Sequence, residues 1–430
     1  MEDVRLVEVK IWGQTVGAVA PLRGRPGVYE FQYAPSFAQS KIELSPLHVP
    51  LNLNRSYSFP NLRVETFYGL PGFLADALPD KFGNAVIDAF LKSQKIGSIT
   101  TLQRLLYVGR RATGALEFEP AIADRNEHHV ATSLQMAHLV EDARRALRGE
   151  IMQDAQDIMD VGSSAGGARA KAVIGWNPVS KEVVSGQFDL PHGFEHWLLK
   201  FDVEKDVRTL GISAGFGRTE YAYHLMALNA GLTMNPCSLF EENGRAHFMT
   251  KRFDREGNKK LHMHSLCGLA QLDFNMPYAH SYDQYFRTIL NMNLGAAAIQ
   301  QAWIRCAFNV ASVNCDDHTK NFAFLLNDQN EWQLAPAYDV CFSHDPDQEK
   351  KTSKHQMMVN GKVANITKAD LLILAANYNV KHPMETLDRI IDAVGRWPEF
   401  AKEAGVPRKE IERISSFQKI HRIETSTIPT

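Results

Sequence analysis

The spacing of apolar and polar residues changes character several times along the chain, and each change predicts a different element. Residues 4–22, VRLVEVKIWGQTVGAVAPL, alternate around Gly13, the period-two signature of a half-buried hairpin, and VYEFQYAP (28–35) continues it. From Leu70 the spacing turns helical: LPGFLADALPDKFGNAVIDAFLKS opens on a Pro-Gly turn, with Pro79 and Gly83 as interruptions. Alternation returns in AKAVIGW (170–176), HWLLKFD (196–202) and AHFMTKRFD (246–254), with the helical stretch TEYAYHLMALNAGL (219–232) between the last two. Beyond about residue 260 helical spacing dominates, broken by a hairpin pattern in FAFLLNDQNEWQLAP (322–336).

Strand runs followed by helix runs predict an α+β architecture. We expect a small N-terminal α+β module over 1–122 and a linker with one helix over 123–157, opened by the polar segment ADRNEHHVATS. A β-rich part over 158–258 and a helical part over 259–430 follow. A chain of 430 residues exceeds what one core usually supports, which agrees with several parts. There is no internal repeat.

Composition narrows the class. A formal net charge of −2 gives no global attraction to nucleic acid or anionic lipid, so such binding needs a local patch or a partner. The five cysteines lack CxxC spacing, which argues against a zinc ribbon or disulfide scaffold and fits a reducing compartment. No window reaches 18 uninterrupted apolar residues, and MEDVRLVEVKIWG has no signal-like core. The expectation is a cytoplasmic protein that does not span a membrane.

The chemistry concentrates in four places. GSSAGGARAK (162–171) leaves backbone N–H groups unobstructed, with Arg169 and Lys171 at its end; it suits either a phosphate cradle or a plain turn, and it matches neither Walker A nor GxGxxG. Lys200 ends an apolar strand pattern, and Glu220 opens the next helix; a Lys–Glu pair in that order is one way to aim a lysine at nucleotide phosphates. NCDDHTKNFAFLL (314–326) crowds Asp316, Asp317, His318, Lys320 and Asn321 together, with Asp316 and Asn321 at the D-x-x-x-x-N spacing of a kinase catalytic loop. Asp339 follows in YDV and supplies a second carboxylate where Mg²⁺ would need one. His262 and His264 share a strand face in LHMHS without an evident third metal ligand, so a structural role is expected.

The ordered set SSAGGARAK, HWLLKFD, TEY, TKRFDR, LHMHSL, FNVASVNCDDHTKNFAFLL and LAPAYDV, with GFLADALPDKFG upstream, resembles the HipA family of serine/threonine kinase toxins. The resemblance covers nearly the whole chain. It implies a bilobal protein-kinase-like fold, with a β-rich N-lobe and an all-α C-lobe, behind the N-terminal module. It implies transfer of the ATP γ-phosphoryl group to a translation-related protein, such as an aminoacyl-tRNA synthetase, within a type II toxin–antitoxin pair. The implied partners are a HipB-type helix-turn-helix antitoxin and, mainly through it, operator DNA.

By the same resemblance Asp316 corresponds to the catalytic base, Asn321 and Asp339 to the Mg²⁺ ligands, and Lys200 to the nucleotide-phosphate lysine. Ser164, Ala165, Gly166, Gly167, Ala168, Arg169 and Lys171 would line ATP, with Lys251 and Phe253 in the adenine-side hinge and His318 and Lys320 near the phosphates. Autophosphorylation would fall on Ser164 or its neighbour Ser163, bringing roughly −1.5 to −2 charges into the loop and expelling it. Lys251 stands where an acidic residue can occur in the family, and the doubled serine leaves the modified position open. Lys350, Lys351, Lys354, Lys362 and Lys368 form a basic stretch that suits either DNA phosphates or solvent. Two rivals to the protein kinase stand beside it: a small-molecule phosphotransferase of the antibiotic-kinase type, and a pseudokinase corepressor.

Overall fold

The computed structural model describes residues 4–79, 81–120, 136–147, 169–202, 215–347, 351–420 and 423. The chain divides into two compact units. The first comprises residues 1–214, 240–264 and 325–331, and the second comprises 215–239, 265–324 and 332–430. Among the described residues no helix is long and apolar enough to cross a membrane.

In the first unit, β1 (Val7–Ile11) and β2 (Gln14–Pro21) form the hairpin that the alternation predicts. With β3 (Tyr29–Tyr33), β4 (Ser56–Tyr57) and β5 (Leu116–Glu119) they make a five-stranded sheet in the order β4-β3-β2-β1-β5. A second sheet has the order β7-β6-β8-β10-β9. It contains β6 (Lys171–Trp176), β7 (Val183–Ser185), β8 (Glu195–Lys200), β9 (Cys237–Glu242) and β10 (Arg245–Lys251).

The helix Lys81–Ser93 buries Phe82, Val86, Ile87, Ala89 and Leu91, at the three-to-four residue spacing that makes one apolar face. That face shares one core with Ala172, Ile174, Trp197, Leu199 and Met249 of the second sheet. The N-terminal sheet is fastened to the turn after β10 by buried charge. Asp254 accepts from Arg252 Nε at 2.8 Å, from Arg255 Nη1 at 2.9 Å and from the Gly114 amide at 2.8 Å. Burial alone would raise the Asp254 carboxyl, but the two guanidiniums outweigh it and hold it well below the usual carboxylate range. Gly114 adopts φ +81°, and a Cβ there would lie 2.8 Å from the Met263 amide nitrogen, so only glycine fits.

His262 and His264 take the structural role expected of them. His264 Nδ1 meets Asp76 at 2.7 Å and its Nε2 meets Ser45 Oγ at 3.1 Å, while His262 Nε2 donates to the Leu44 carbonyl at 3.0 Å. The Ser–His–Asp order is that of a hydrolase relay, but Ser45 is 1% exposed and His264 0%, so no substrate reaches it.

The second unit is dominated by helices, chiefly Phe216–Asn229, Tyr282–Asn291, Gly295–Ser312, Lys368–Asn377, Pro383–Gly395 and Arg408–Ile420. It is not helical throughout: His280–Ser281 pairs in parallel with Met357–Met358. That short pairing brings the chain near residue 356 back beside residue 280. Two lysines of the basic stretch are paired with carboxylates, Lys362 with Asp370 at 2.8 Å and Lys368 with Asp388 at 3.0 Å. Lys350 lies outside the described residues.

Candidate active site

The helix Gly295–Ser312 is buried along its last eleven residues from Ala302, and it delivers the acidic loop from its C-terminus. Val313 ends it at φ +61°, a left-handed conformation that is costly for a β-branched residue. The Val313 and Asn314 amides both close on the Asn309 carbonyl, the latter at 2.9 Å, which stops the helix at the residue before the loop.

The two adjacent aspartates then part company. The Asp317 side chain is 0% exposed and accepts from Tyr282 Oη at 2.9 Å, His355 Nδ1 at 3.0 Å and the Gln356 amide at 2.7 Å. Asn309 Nδ2 donates to Tyr282 Oη at 3.1 Å, and Asn314 Nδ2 donates to Asn309 Oδ1 at 3.0 Å. Burial first, then the Asp317 charge, pushes the Tyr282 phenol well above its ordinary range, so it is a fixed donor. Asp317 is thus the anchor of the loop. The Asp316 side chain is 44% exposed, and its Oδ1 accepts from Gln356 Nε2 at 2.6 Å.

Asn321 closes the loop. Its Nδ2 donates to the Asp316 carbonyl at 2.8 Å, its amide donates to the His318 carbonyl at 2.9 Å, and Tyr338 Oη donates to the Lys320 carbonyl at 2.8 Å. With Nδ2 so occupied, the Asn321 side chain presents Oδ1, an oxygen, as its remaining polar atom. Asp316, Asn321 and Asp339 line one cleft together with Arg305, Asn309, Asn314 and Tyr338. The space among them is about 10 Å³, roughly the least that admits one water. Asp339, which lines that cleft, holds φ +55°, also in the left-handed region.

Among the described residues no group of three His, Cys, Asp or Glu is arranged to hold a metal. Mg²⁺ takes hard oxygens, few of them carboxylates, and keeps water and phosphate as other ligands. The donor set of Asn321 Oδ1 and the Asp339 carboxylate fits that ion.

Two further residues of the loop, His318 and Lys320, both pack on Phe274, the imidazole with centroids 5.3 Å apart and the ammonium 5.4 Å from the ring. His318 Nε2 lies 3.8 Å from Asp316 Oδ1. In the first unit Lys171 and Lys200 stand directly opposite each other on β6 and β8, so their side chains share a face. Lys171 is 1% exposed, and Lys200 Nζ lies 5.6 Å from the Phe248 ring centroid. Lys251 is drawn to Glu195 at 2.7 Å, Phe253 is half-buried, and the intervening Arg252 amide donates to the His196 carbonyl at 2.9 Å. Arg169 is exposed just before β6. Glu220 is buried on the helix Phe216–Asn229 of the second unit. Ser163, Ser164, Ala165, Gly166, Gly167 and Ala168 lie outside the described residues.

Sequence reasoning missed Tyr282, Asn309, His355 and Gln356. Gln356 lies forty residues from Asp316 within an unremarkable SKHQMM run, and only the strand pairing at Met357 brings it to the loop.

Comparison with known proteins bears on the family and the fold. The model of the HipA N-terminal domain matches residues 7–119, and that of the HipA-like C-terminal domain matches residues 163–422. Among solved structures the chain is similar to one from the Shewanella oneidensis MR-1 toxin–antitoxin system of HipA, HipB and its operator DNA. The TM-score is 0.64 at 16% identity, over 96% of this chain and 95% of that one. That likeness is one of fold. The Helicobacter pylori proinflammatory kinase CtkA aligns with 60% of this chain and 95% of its own at 13% identity, with a TM-score of 0.36, below what a shared fold requires. No curated protein matches the chain in sequence.

Proposed function

The chain belongs to the HipA family, and from that premise we propose that it is an ATP-dependent serine/threonine protein kinase acting as the toxin of a toxin–antitoxin pair. The observation that carries this reading is the convergence of Asp316, Asn321 and Asp339 in one cleft, with Asn321 turned so that its oxygen is presented. Asp316 is the base: its Oδ2 receives the proton of a Ser or Thr hydroxyl as that oxygen attacks the γ-phosphorus and the bond to the β-phosphate bridging oxygen breaks, releasing ADP. Asn321 and Asp339 would hold Mg²⁺, which when bound neutralises the phosphate oxygens. Lys171 and Lys200 put two ammoniums on one face of a strand pair. A polyphosphate lying along that face would meet both of them.

The further parts of the proposal are an acceptor protein of the translation apparatus, self-inhibition by phosphate on Ser164 or Ser163, and a cytoplasmic location. A HipB-type helix-turn-helix antitoxin would carry the contact with operator DNA. This follows the Shewanella oneidensis complex, which contains HipA, HipB and operator DNA. The test is intact mass after incubation with Mg·ATP, wild type beside Asp316→Gln, with the phosphopeptide mapped. Added phosphate on Ser164 or Ser163 in the wild type alone supports the reading. No phosphate in either, with ATP bound, moves the assignment to a small-molecule acceptor or a corepressor.

A further inference from the structure

We propose that Gln356 is the residue that aims Asp316, a positioning role that rests on the kinase reading above. Asp316 sits on a loop and is exposed enough for its carboxylate to turn, so something must hold it for in-line proton acceptance. Gln356 Nε2 donates to Asp316 Oδ1 at 2.6 Å, a charge-assisted contact that fixes one oxygen and leaves Oδ2 to face the acceptor hydroxyl.

Gln356 is itself immobile. Its amide donates to Asp317 at 2.7 Å, its carbonyl accepts from the Tyr278 amide at 3.0 Å, and the next residue enters the parallel pairing of Met357 with His280. The residue is 3% exposed, so the donor has no room to wander. One segment therefore braces both aspartates, Asp317 through its backbone and His355, and Asp316 through the Gln356 side chain.

The other end of the same amide argues that folding alone does not explain it. Gln356 Oε1 is buried and has no hydrogen-bond partner among the described residues. Turning the amide over would set that oxygen against a carboxylate oxygen, so the observed orientation is dictated by Asp316. An orphaned buried carbonyl is a stability cost, and a methionine of similar shape would avoid it. A side chain kept at a cost to the fold, with its donor on the base, is placed for the reaction.

The experiment compares wild type, Gln356→Met and Gln356→Glu with Mg·ATP as the probe, following label incorporated into the chain and free phosphate released. Positioning by N–H donation predicts that both variants lose kcat by 10- to 100-fold while KM for ATP stays within twofold. It also predicts that Gln356→Met melts at or above the wild-type temperature. Glutamate keeps the shape of glutamine and lacks the donor, so a Gln356→Glu enzyme with wild-type kcat would reduce the role to packing and overturn the proposal. A Gln356→Met protein that melts more than 5 °C lower would make the amide structural and would overturn it equally. An active wild type with unaltered variants defeats the positioning role alone, whereas a wild type that binds ATP and transfers nothing defeats the kinase reading as well.

Discussion

Neighbouring aspartates in this loop should respond oppositely to substitution. Asp317→Ala removes an acceptor that takes three buried donors, from Tyr282, His355 and the Gln356 backbone. Each orphaned donor costs about 1–3 kcal/mol. Water entering the small void relieves part of the sum, which leaves a loss on the order of 3–5 kcal/mol, the range for breaking a buried ionic contact. Asp316→Asn differs: the side chain is 44% exposed and the amide keeps an acceptor oxygen for Gln356, so stability should change by less than about 1 kcal/mol. Its transfer rate should nonetheless fall by about 10²–10⁴, the worth of a general base. Urea titration followed by tryptophan fluorescence suits the second unit, where Trp303 and Trp397 are both fully buried. Phosphate transfer on the same samples gives the other axis. If Asp317→Ala costs less than about 1 kcal/mol, or Asp316→Asn transfers phosphate at the wild-type rate, the division of labour drawn from the hydrogen bonds is wrong.

Asp254→Ala strands two buried guanidiniums and the Gly114 amide in the first unit, and should cost about 3–5 kcal/mol, read as a lowered melting temperature. Acid should destabilise the protein through its buried histidines. Burial lowers His262 to about 3 and His196 and His224 to about 4, from 6.5. Between pH 6.5 and those values the unfolded chain takes up protons that the folded one refuses, so stability is lost as pH falls through that window. His262 alone should account for about 2 kcal/mol between pH 7 and pH 5, measured as the difference in pH slope between wild type and His262→Gln. Lys200→Met should raise the Kd for ATP at least tenfold, measured by calorimetry. Asp339→Asn should shift the Mg²⁺ concentration for half-maximal transfer upward, and an unshifted midpoint would remove it from the cation site.

Much of the architecture is legible from spacing alone. The β1–β2 hairpin alternates because its inner residues Val7, Val9 and Ile11 are buried and their neighbours are not, and the helix Lys81–Ser93 repeats its apolar residues because only one face meets the core. The D-x-x-x-x-N spacing is legible because Asn321 reaches back only five residues to close the loop on the Asp316 carbonyl. These are local relations, and a one-dimensional pattern carries them.

What the tertiary structure decided is which of two adjacent carboxylates is buried. Asp316 and Asp317 are identical in type and neighbours in sequence; the difference lies in Tyr282, His355 and Gln356, which arrive from 35 to 40 residues away. The pairing of Lys171 with Lys200 depends likewise on the register of two strands joined by a long excursion. The sequence by itself determined the elements, the family and the chemistry-bearing types, because periodicity and short spacings act within a few residues. The roles of individual side chains were decided by long-range closure, since burial and hydrogen-bond partners are properties of a place in the fold and not of a position in the chain.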